Sequence, residues 1–204
     1  MHKLILTILL FILLLLQNGC ITPEVSADYN FYALPKDMHR LNIAVMPLIP
    51  KELSESEIEE INEEIIDALL TYSTVKKVIP PEVTTEILLN KDLLNEWQNC
   101  WHNYITKEKL DSELLKQIGD ELNVNAVIQF EIIDIKKIRP VHRQVIGGTT
   151  AEVKYKLFST TNCYILSEAT AVATQKNAWS GQMTPRPIEA IEAAIEEIIE
   201  NLPF

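Results

Sequence analysis

The sequence predicts an α/β (α+β) sandwich: a mixed five-stranded sheet with helices packed on it, in the order β-α-β-α-α-α-β-β-β-α. Three observations predict it. Short apolar runs bounded by proline, glycine or asparagine have the length and composition of strands. Between the early runs lie segments whose apolar residues recur every three or four positions, the period of a helix lying on a surface. The last three runs are separated only by short turn-forming stretches, so they pair as a meander, whereas the early ones need helical crossovers.

Leu41–Met46 is apolar and closed by Pro47 and Pro50, as a buried strand is. Ser54 and Glu57 form a capping box, each able to satisfy a free amide at a helix start. Ile58, Ile61, Ile65, Leu69 and Tyr72 then recur at helical spacing, widened by Ile66 and Leu70, while Glu59, Glu60, Glu63, Glu64 and Asp67 make the solvated face. Val75–Ile79 is a short strand stopped by Pro80 and Pro81, and Glu82–Leu89 a short helix. From Lys91 to Ile105 the helical spacing falls on Leu94, Trp97, Trp101, Tyr104 and Ile105. Asp111 caps a helix running through Leu122 with Leu114, Leu115 and Ile118 inward.

Val124–Ile138 is the longest apolar stretch after the N-terminus, and its polar residues alternate as in a strand with one wetter face. On that alternation Glu131 and Asp134 fall on opposite faces. Gly147-Gly148 marks a turn, Thr150–Ser159 alternates as a strand, Thr161-Asn162 turns the chain, and Tyr164–Thr174 returns. A connector with Pro185 and Pro187 leads to a final amphipathic helix built on Ile188, Ile191, Ile195, Ile198, Ile199 and Leu202.

The N-terminus is a separate matter. After Met1-His2-Lys3, residues 4–16 are apolar except Thr7, and Gln17-Asn18-Gly19-Cys20 follows. A basic head and an apolar run too short to span a bilayer comfortably describe an export signal. Gly19 before Cys20 resembles the lipobox of bacterial lipoproteins, which implies cleavage after residue 19 and a diacylglyceryl, palmitate-bearing Cys20. Ile21 in the place where many such proteins carry Asp implies the outer membrane, facing the periplasm, over the inner membrane. The expected organisation is a signal peptide at 1–19, the lipidated cysteine and a tether at 20–40, and one domain at 41–204.

Composition narrows the partners. The chain has 18 basic and 29 acidic residues, a net charge of −11. Residues 1–19 hold Lys3 and no acid, so the exported part is slightly more acidic still. That balance argues against nucleic acid, whose phosphates need clustered Lys and Arg. The five glycines include no phosphate-cradling loop, since Gly147-Gly148 lacks a Lys-Ser/Thr sequel.

Catalytic and metal-ligating patterns do not emerge. His2, His39, His102 and His142 are scattered, and no Cys-x-x-Cys or Gly-x-Ser-x-Gly occurs, so neither cofactor nor metal is expected. A non-enzymatic protein is. Cys100 and Cys163 either form a disulfide or stay as two buried thiols; sequence leaves both readings open. Trp97, Trp101 and Tyr104 form either core, the ordinary role of an aromatic stripe, or a platform for a small ligand or glycan. Lys136, Lys137, Arg139, His142 and Arg143 are the basic cluster of this acidic chain. They form either a solvated hairpin tip or a contact for an acidic partner or lipid headgroups.

Asn42–Pro47 as the opening strand, Ile118–Ile128 as a helix-to-strand passage, the paired strands Lys154–Phe158 and Tyr164–Ala173, and the closing helix resemble a group of bacterial envelope lipoproteins. The group includes CsgG- and LpoB-type proteins, whose domain is similar to the N-terminal domain of TolB. The resemblance covers about residues 41–202. It implies a lipid-anchored interaction or assembly module with a protein partner in the envelope, or one that forms homo-oligomers. The 139–149 connection is too short for the long hairpins of a secretion pore, because a membrane strand needs ~9–11 residues and a hairpin twice that. The alternative is a periplasmic binding module using the aromatic face.

Overall fold

The structure is a computed structural model that describes residues 22–34, 38, 40–49, 53–107, 109–138, 147–177 and 184–202. Its strands are β1 Glu24–Phe31, β2 Asn42–Val45, β3 Lys77–Ile79, β4 Ala126–Ile138, β5 Gly148–Ser159 and β6 Ile165–Lys176. Its helices are α1 Glu55–Tyr72, α2 Pro81–Asn90, α3 Leu94–Lys107, α4 Ser112–Leu122 and α5 Pro187–Glu200. The six strands form one mixed sheet in the order β1-β6-β5-β4-β2-β3.

The expectation of five strands is corrected to six, and the expected order fails at its start. Glu24–Phe31, assigned to a tether, is an edge strand antiparallel to β6 along its whole length, from Glu24 opposite Thr174 to Phe31 opposite Ser167. The reason is an alternation in which Val25, Ala27 and Tyr29 pack against the core while Glu24, Ser26, Asp28 and Asn30 face water. The fold therefore begins well before residue 41. β2 is parallel to β3 and β4, while β4, β5 and β6 form the antiparallel meander.

Helices cover both faces. α1 and α5 lie on one, where Ile61, Ile65 and Leu69 of α1 and Ile188, Ile191, Ile195, Ile198 and Ile199 of α5 meet Phe130, Val153, Tyr155 and Ala171. α2, α3 and α4 lie on the other, over Ala44, Met46, Val127 and Phe158. The stripe of α1 is narrower than its spacing suggested. Leu70 and Tyr72 are exposed, because the helix turns them past the edge of α5, where Tyr72 Oη donates to Glu196 Oε1 at 3.0 Å.

The helix ends follow local chemistry. Ser54 Oγ accepts from the Glu57 amide and Glu57 Oε2 accepts from the Ser54 amide at 2.9 Å, the expected capping box. Asp111 Oδ1 accepts from the amides of Glu113 and Leu114, both at 3.1 Å. α4 ends on Asn123 in the left-handed region, φ 50°, and the Val124 amide returns to the Gly119 carbonyl at 3.0 Å. That closing bond satisfies a carbonyl the helix leaves free, and asparagine tolerates the conformation.

A break in register between Ile132 and Asp134 interrupts the β4–β5 ladder. Glu131 is opposite Lys154 and Asp134 opposite Glu152. The extra residue, Ile133, therefore turns both acids to the same side of the sheet, correcting the reading that placed them on opposite faces.

Candidate functional site

The aromatic stripe of α3 is core. Trp97 and Trp101 are each 2% exposed and Tyr104 9%, gathered around Phe158 of β5. All three rings meet Phe158 edge to face, with centroids 6.4, 6.1 and 5.6 Å from it. This geometry suits the ring quadrupoles and buries large apolar area at once. The platform reading of Trp97, Trp101 and Tyr104 is thereby corrected: helix and sheet close over the faces a sugar would stack on. Ile105, read as part of the stripe, is exposed.

A cleft remains beside this cluster. It holds about 410 Å³ between α3 and the segment after β2, against Pro47, Leu48, Trp97, Trp101, His102 and Glu131. Its polar floor is well satisfied. The Trp97 indole donates to Gln129 Oε1 at 3.0 Å, and Gln129 Nε2 donates to the carbonyls of Pro47 and Phe130, each at 2.9 Å. Trp101 differs, because its indole N–H has no acceptor among the described protein atoms.

At the sheet side of the same cluster lies a network that sequence reasoning missed. Lys156 of β5 donates to Tyr104 Oη at 2.9 Å and to the Glu168 carboxylate of β6, and its ammonium sits 4.8 Å from the Tyr104 ring centroid. Tyr32 Oη donates to the other Glu168 oxygen at 2.8 Å. Burial pulls the Lys156 ammonium toward neutrality, but Glu168 and Tyr104 outweigh it and raise its pKa. Burial pushes the Glu168 carboxyl up, and hydrogen bonds from Lys156 and Tyr32 overcome this and hold it below its ordinary range. Both groups are charged, and both are spent on one another. The alternation of β5 sets Lys156 on the same face as Lys154, and only the register opposite Glu168 shows its partner.

Cys100 and Cys163 are free thiols, so the disulfide reading is not the one the structure adopts. They approach the start of α4 from two sides and each is engaged with its backbone. Cys100 Sγ accepts from the Asp111 amide at 3.4 Å, and Cys163 Sγ donates to the Ser112 carbonyl at 3.2 Å. Burial raises the Cys100 thiol pKa.

Of the basic cluster, Lys136 and Lys137 are exposed at the end of β4, while Arg139, His142 and Arg143 lie outside the described residues, as does Cys20. Lys136 pairs with Asp134 at 2.9 Å, which raises its pKa. The sheet brings a further lysine to this end. Lys176, last residue of β6, is opposite Gly148, which is opposite Ile138, and it pairs with Glu24 at 2.9 Å. That contact lowers the Glu24 pKa. Arg186, ahead of α5, pairs with Glu60 at 3.3 Å nearby. Lys176 was findable from sequence, since a meander sets the end of its third strand level with the start of its second.

The other end of the sheet is different in character. Phe31, Tyr32, Leu34 and Tyr164 are exposed there, and Tyr164 borders a hollow of about 360 Å³ with Leu41, Asn125, Ser159, Asn162 and Leu166. The amides of Tyr32 and Ala33 both donate to the Leu166 carbonyl, which brings β1's exit onto this end.

No protein-family model matches the chain, and no curated protein matches it in sequence. Solved structures do. The PelC dodecamer of Paraburkholderia phytofirmans matches at 13% identity over 87% of this chain and 96% of that one, with a TM-score of 0.50. The chain shares a fold with PelC. Lipoprotein GNA1162 of Neisseria meningitidis also matches, at 14% identity over 79% of this chain and 99% of that one, with a TM-score of 0.47. Among the described residues no helix is long and apolar enough to cross a membrane.

Proposed function

We propose that this chain is a lipid-anchored protein of the bacterial cell envelope that works as a non-enzymatic interaction or assembly module. The observation that carries the reading is the position of β1. The lipobox-like Cys20 stands four residues before Glu24, where a fully paired strand begins. An acyl group on Cys20 therefore holds a rigid domain directly at a membrane, with no long leash between them. This directs the module toward partners at the same surface. The resemblance of residues 41–202 to CsgG- and LpoB-type lipoproteins supports the envelope setting. The structure matched in fold is a dodecamer, which supports self-assembly as the first association to examine. Ile21 favours the outer membrane, facing the periplasm.

The test is expression in a Gram-negative host of the native chain and a Cys20→Ala variant, followed by membrane fractionation and sizing of the detergent-extracted protein. The native chain is expected in the outer-membrane fraction as an assembly of several copies, and Cys20→Ala in the soluble periplasm. Membrane retention of Cys20→Ala sinks the anchor reading. A strictly monomeric extract that also captures no partner on crosslinking in intact cells sinks the assembly reading.

A further inference from the structure

We propose that the open edge of β1 pairs with the β1 of a second copy of this chain, antiparallel and in a register centred on Ala27; this rests on the assembly reading. The two edges of the sheet differ. β3, at one edge, has three residues, begins at Lys77 and is closed by Pro80. Short length, lysine and proline are the devices that keep an edge from pairing. β1, at the other edge, has eight residues, none of them lysine, proline or glycine, and follows β6 without a shift of register. Among the described residues no strand lies on its outer side. An edge of that length without protection is a template for another strand.

The ladder shows which groups are open. The Tyr32 amide donates to the Leu166 carbonyl at 2.9 Å, one step beyond the pair of Phe31 with Ser167. Bonded pairs alternate along an antiparallel ladder. Glu24, Ser26, Asp28 and Asn30 therefore turn their amides and carbonyls toward β6, and Val25, Ala27, Tyr29 and Phe31 turn theirs outward. The far side of the sheet gives the same phase: the Met46 amide donates to the Ile128 carbonyl, and alternation carried across β4, β5 and β6 arrives at the same four residues.

The side chains select a second copy. A two-fold axis perpendicular to the sheet keeps each face continuous, so the register must centre on a residue and not between two. Two such registers overlap all but one residue of β1, centred on Ala27 and on Asp28. The second sets the Asp28 carboxylate against itself, and like charges directly opposite are destabilising. The first sets Glu24 opposite Asn30 and Ser26 opposite Asp28, with no acid facing an acid. The two Asp28 side chains then stay a diagonal apart, roughly 7–8 Å, and Glu24 is already matched by Lys176 at 2.9 Å. On the other face Val25 meets Tyr29 of the second copy, a β-branched residue against an aromatic one. Val25, Ala27 and Tyr29 are half-buried against the core, so the added strand continues an apolar row that the edge leaves unfinished. Glu197 and Glu200 of α5 also act on Tyr29, and the register brings Val25 of the second copy beside it, not an acid. The two chain starts lie about 20 Å apart along the strands, at ~3.3 Å per residue. With the two-fold axis normal to a membrane, both Cys20 anchors face the same bilayer.

The test uses the full chain extracted in detergent, with its native cysteines kept. Ser26 and Asp28 are exposed, so substitution there leaves the core untouched. Ser26→Cys and Asp28→Cys chains are oxidised separately and mixed, with copper phenanthroline as the oxidant, and linked peptides are identified by mass spectrometry beside sizing of the assembly. Positions 26 and 28 face one another as a non-bonded pair, with Cα atoms ~4.5 Å apart, within the ~4.4–6.8 Å that a disulfide spans. The mixture is expected to give a 26–28 link roughly tenfold more than either chain alone gives its own 26–26 or 28–28 link, whose Cα atoms lie beyond that span. Ser26→Asp opposes two acids at both symmetric pairs and should weaken association about tenfold. Adding Asp28→Ser to it should restore the native value. An assembly of several copies without the 26–28 link overturns the pairing of β1 and leaves assembly standing. A monomer with no link overturns both. Equal association of the native and Ser26→Asp chains overturns the register.

Discussion

The Lys156 ammonium of β5 is bonded to the Glu168 carboxylate of β6, with the two side chains only 11% and 16% exposed. In such a place the pair itself adds little over an apolar one, but either partner left alone is a desolvated charge. Lys156→Met is therefore expected to lower stability by about 3 kcal/mol, read by urea unfolding at pH 7. Lys156→Met with Glu168→Leu should recover most of that. A single substitution as stable as the native chain would show that the charges are solvated.

The same pair sets a pH dependence. The folded chain holds Glu168 below its ordinary pKa. Its contribution is thus complete above the unfolded value of about 4.3 and is lost as pH falls through the lowered folded value. Acid unfolding of the native chain should be steeper below about pH 4 than that of Lys156→Met/Glu168→Leu. Superimposable acid transitions would contradict the assignment.

Gly119 lies where α4 presses on the β5–β6 turn, and a Cβ there would overlap the Thr160 side chain. Alanine favours a helix by about 1 kcal/mol over glycine. Here overpacking outweighs it, and Gly119→Ala is expected to cost roughly 1–3 kcal/mol. Adding Thr160→Gly should relieve the overlap, although it also removes the Thr160 hydroxyl's bond to the Val124 carbonyl at 2.9 Å. Thermal unfolding of Gly119→Ala, Thr160→Gly and the double variant measures both effects.

Tyr29 distinguishes an edge strand from a tether. Its hydroxyl donates to the Glu197 carbonyl of α5 at 2.8 Å, and burial, with Glu197, pushes its pKa up to about 12. Tyr29→Ala should cost ~2–4 kcal/mol, as large-to-small changes in packed sites do. A residue on an unattached tether would shift stability by no more than ~0.5 kcal/mol.

The two thiols should separate by reactivity. Cys163 is partly exposed, whereas Cys100 is buried with a raised pKa. Because the thiolate is the reacting species, iodoacetamide should modify Cys163 in the native chain and reach Cys100 only on unfolding. Mass mapping of the modified peptides checks this, and equal rates would place Cys100 at the surface.

Much of the fold is legible in the chain because local rules and tertiary packing agree there. The capping box at Ser54, the cap at Asp111 and the isoleucine stripe of α5 are each set by neighbours within a few residues. The aromatic stripe at Trp97, Trp101 and Tyr104 was readable as apolar, but whether it faced core or water was decided by Phe158, some fifty residues away in sequence. β1 was missed for a related reason. Its inward residues Val25, Ala27 and Tyr29 alternate as a strand should, but they are few and modest in size. The partner that makes them a strand, β6, comes about 140 residues later.

By itself the sequence determined the mixed α/β class, the helix starts and the acidic balance of the chain, because these depend on composition and short-range periodicity. Only the tertiary structure decided the rest. Strand register placed Lys156 against Glu168, set Lys176 beside the end of β4, and drew the supposed tether into the sheet four residues from Cys20. Register joins residues distant in the chain through backbone hydrogen bonds common to every residue type, so local sequence does not record it.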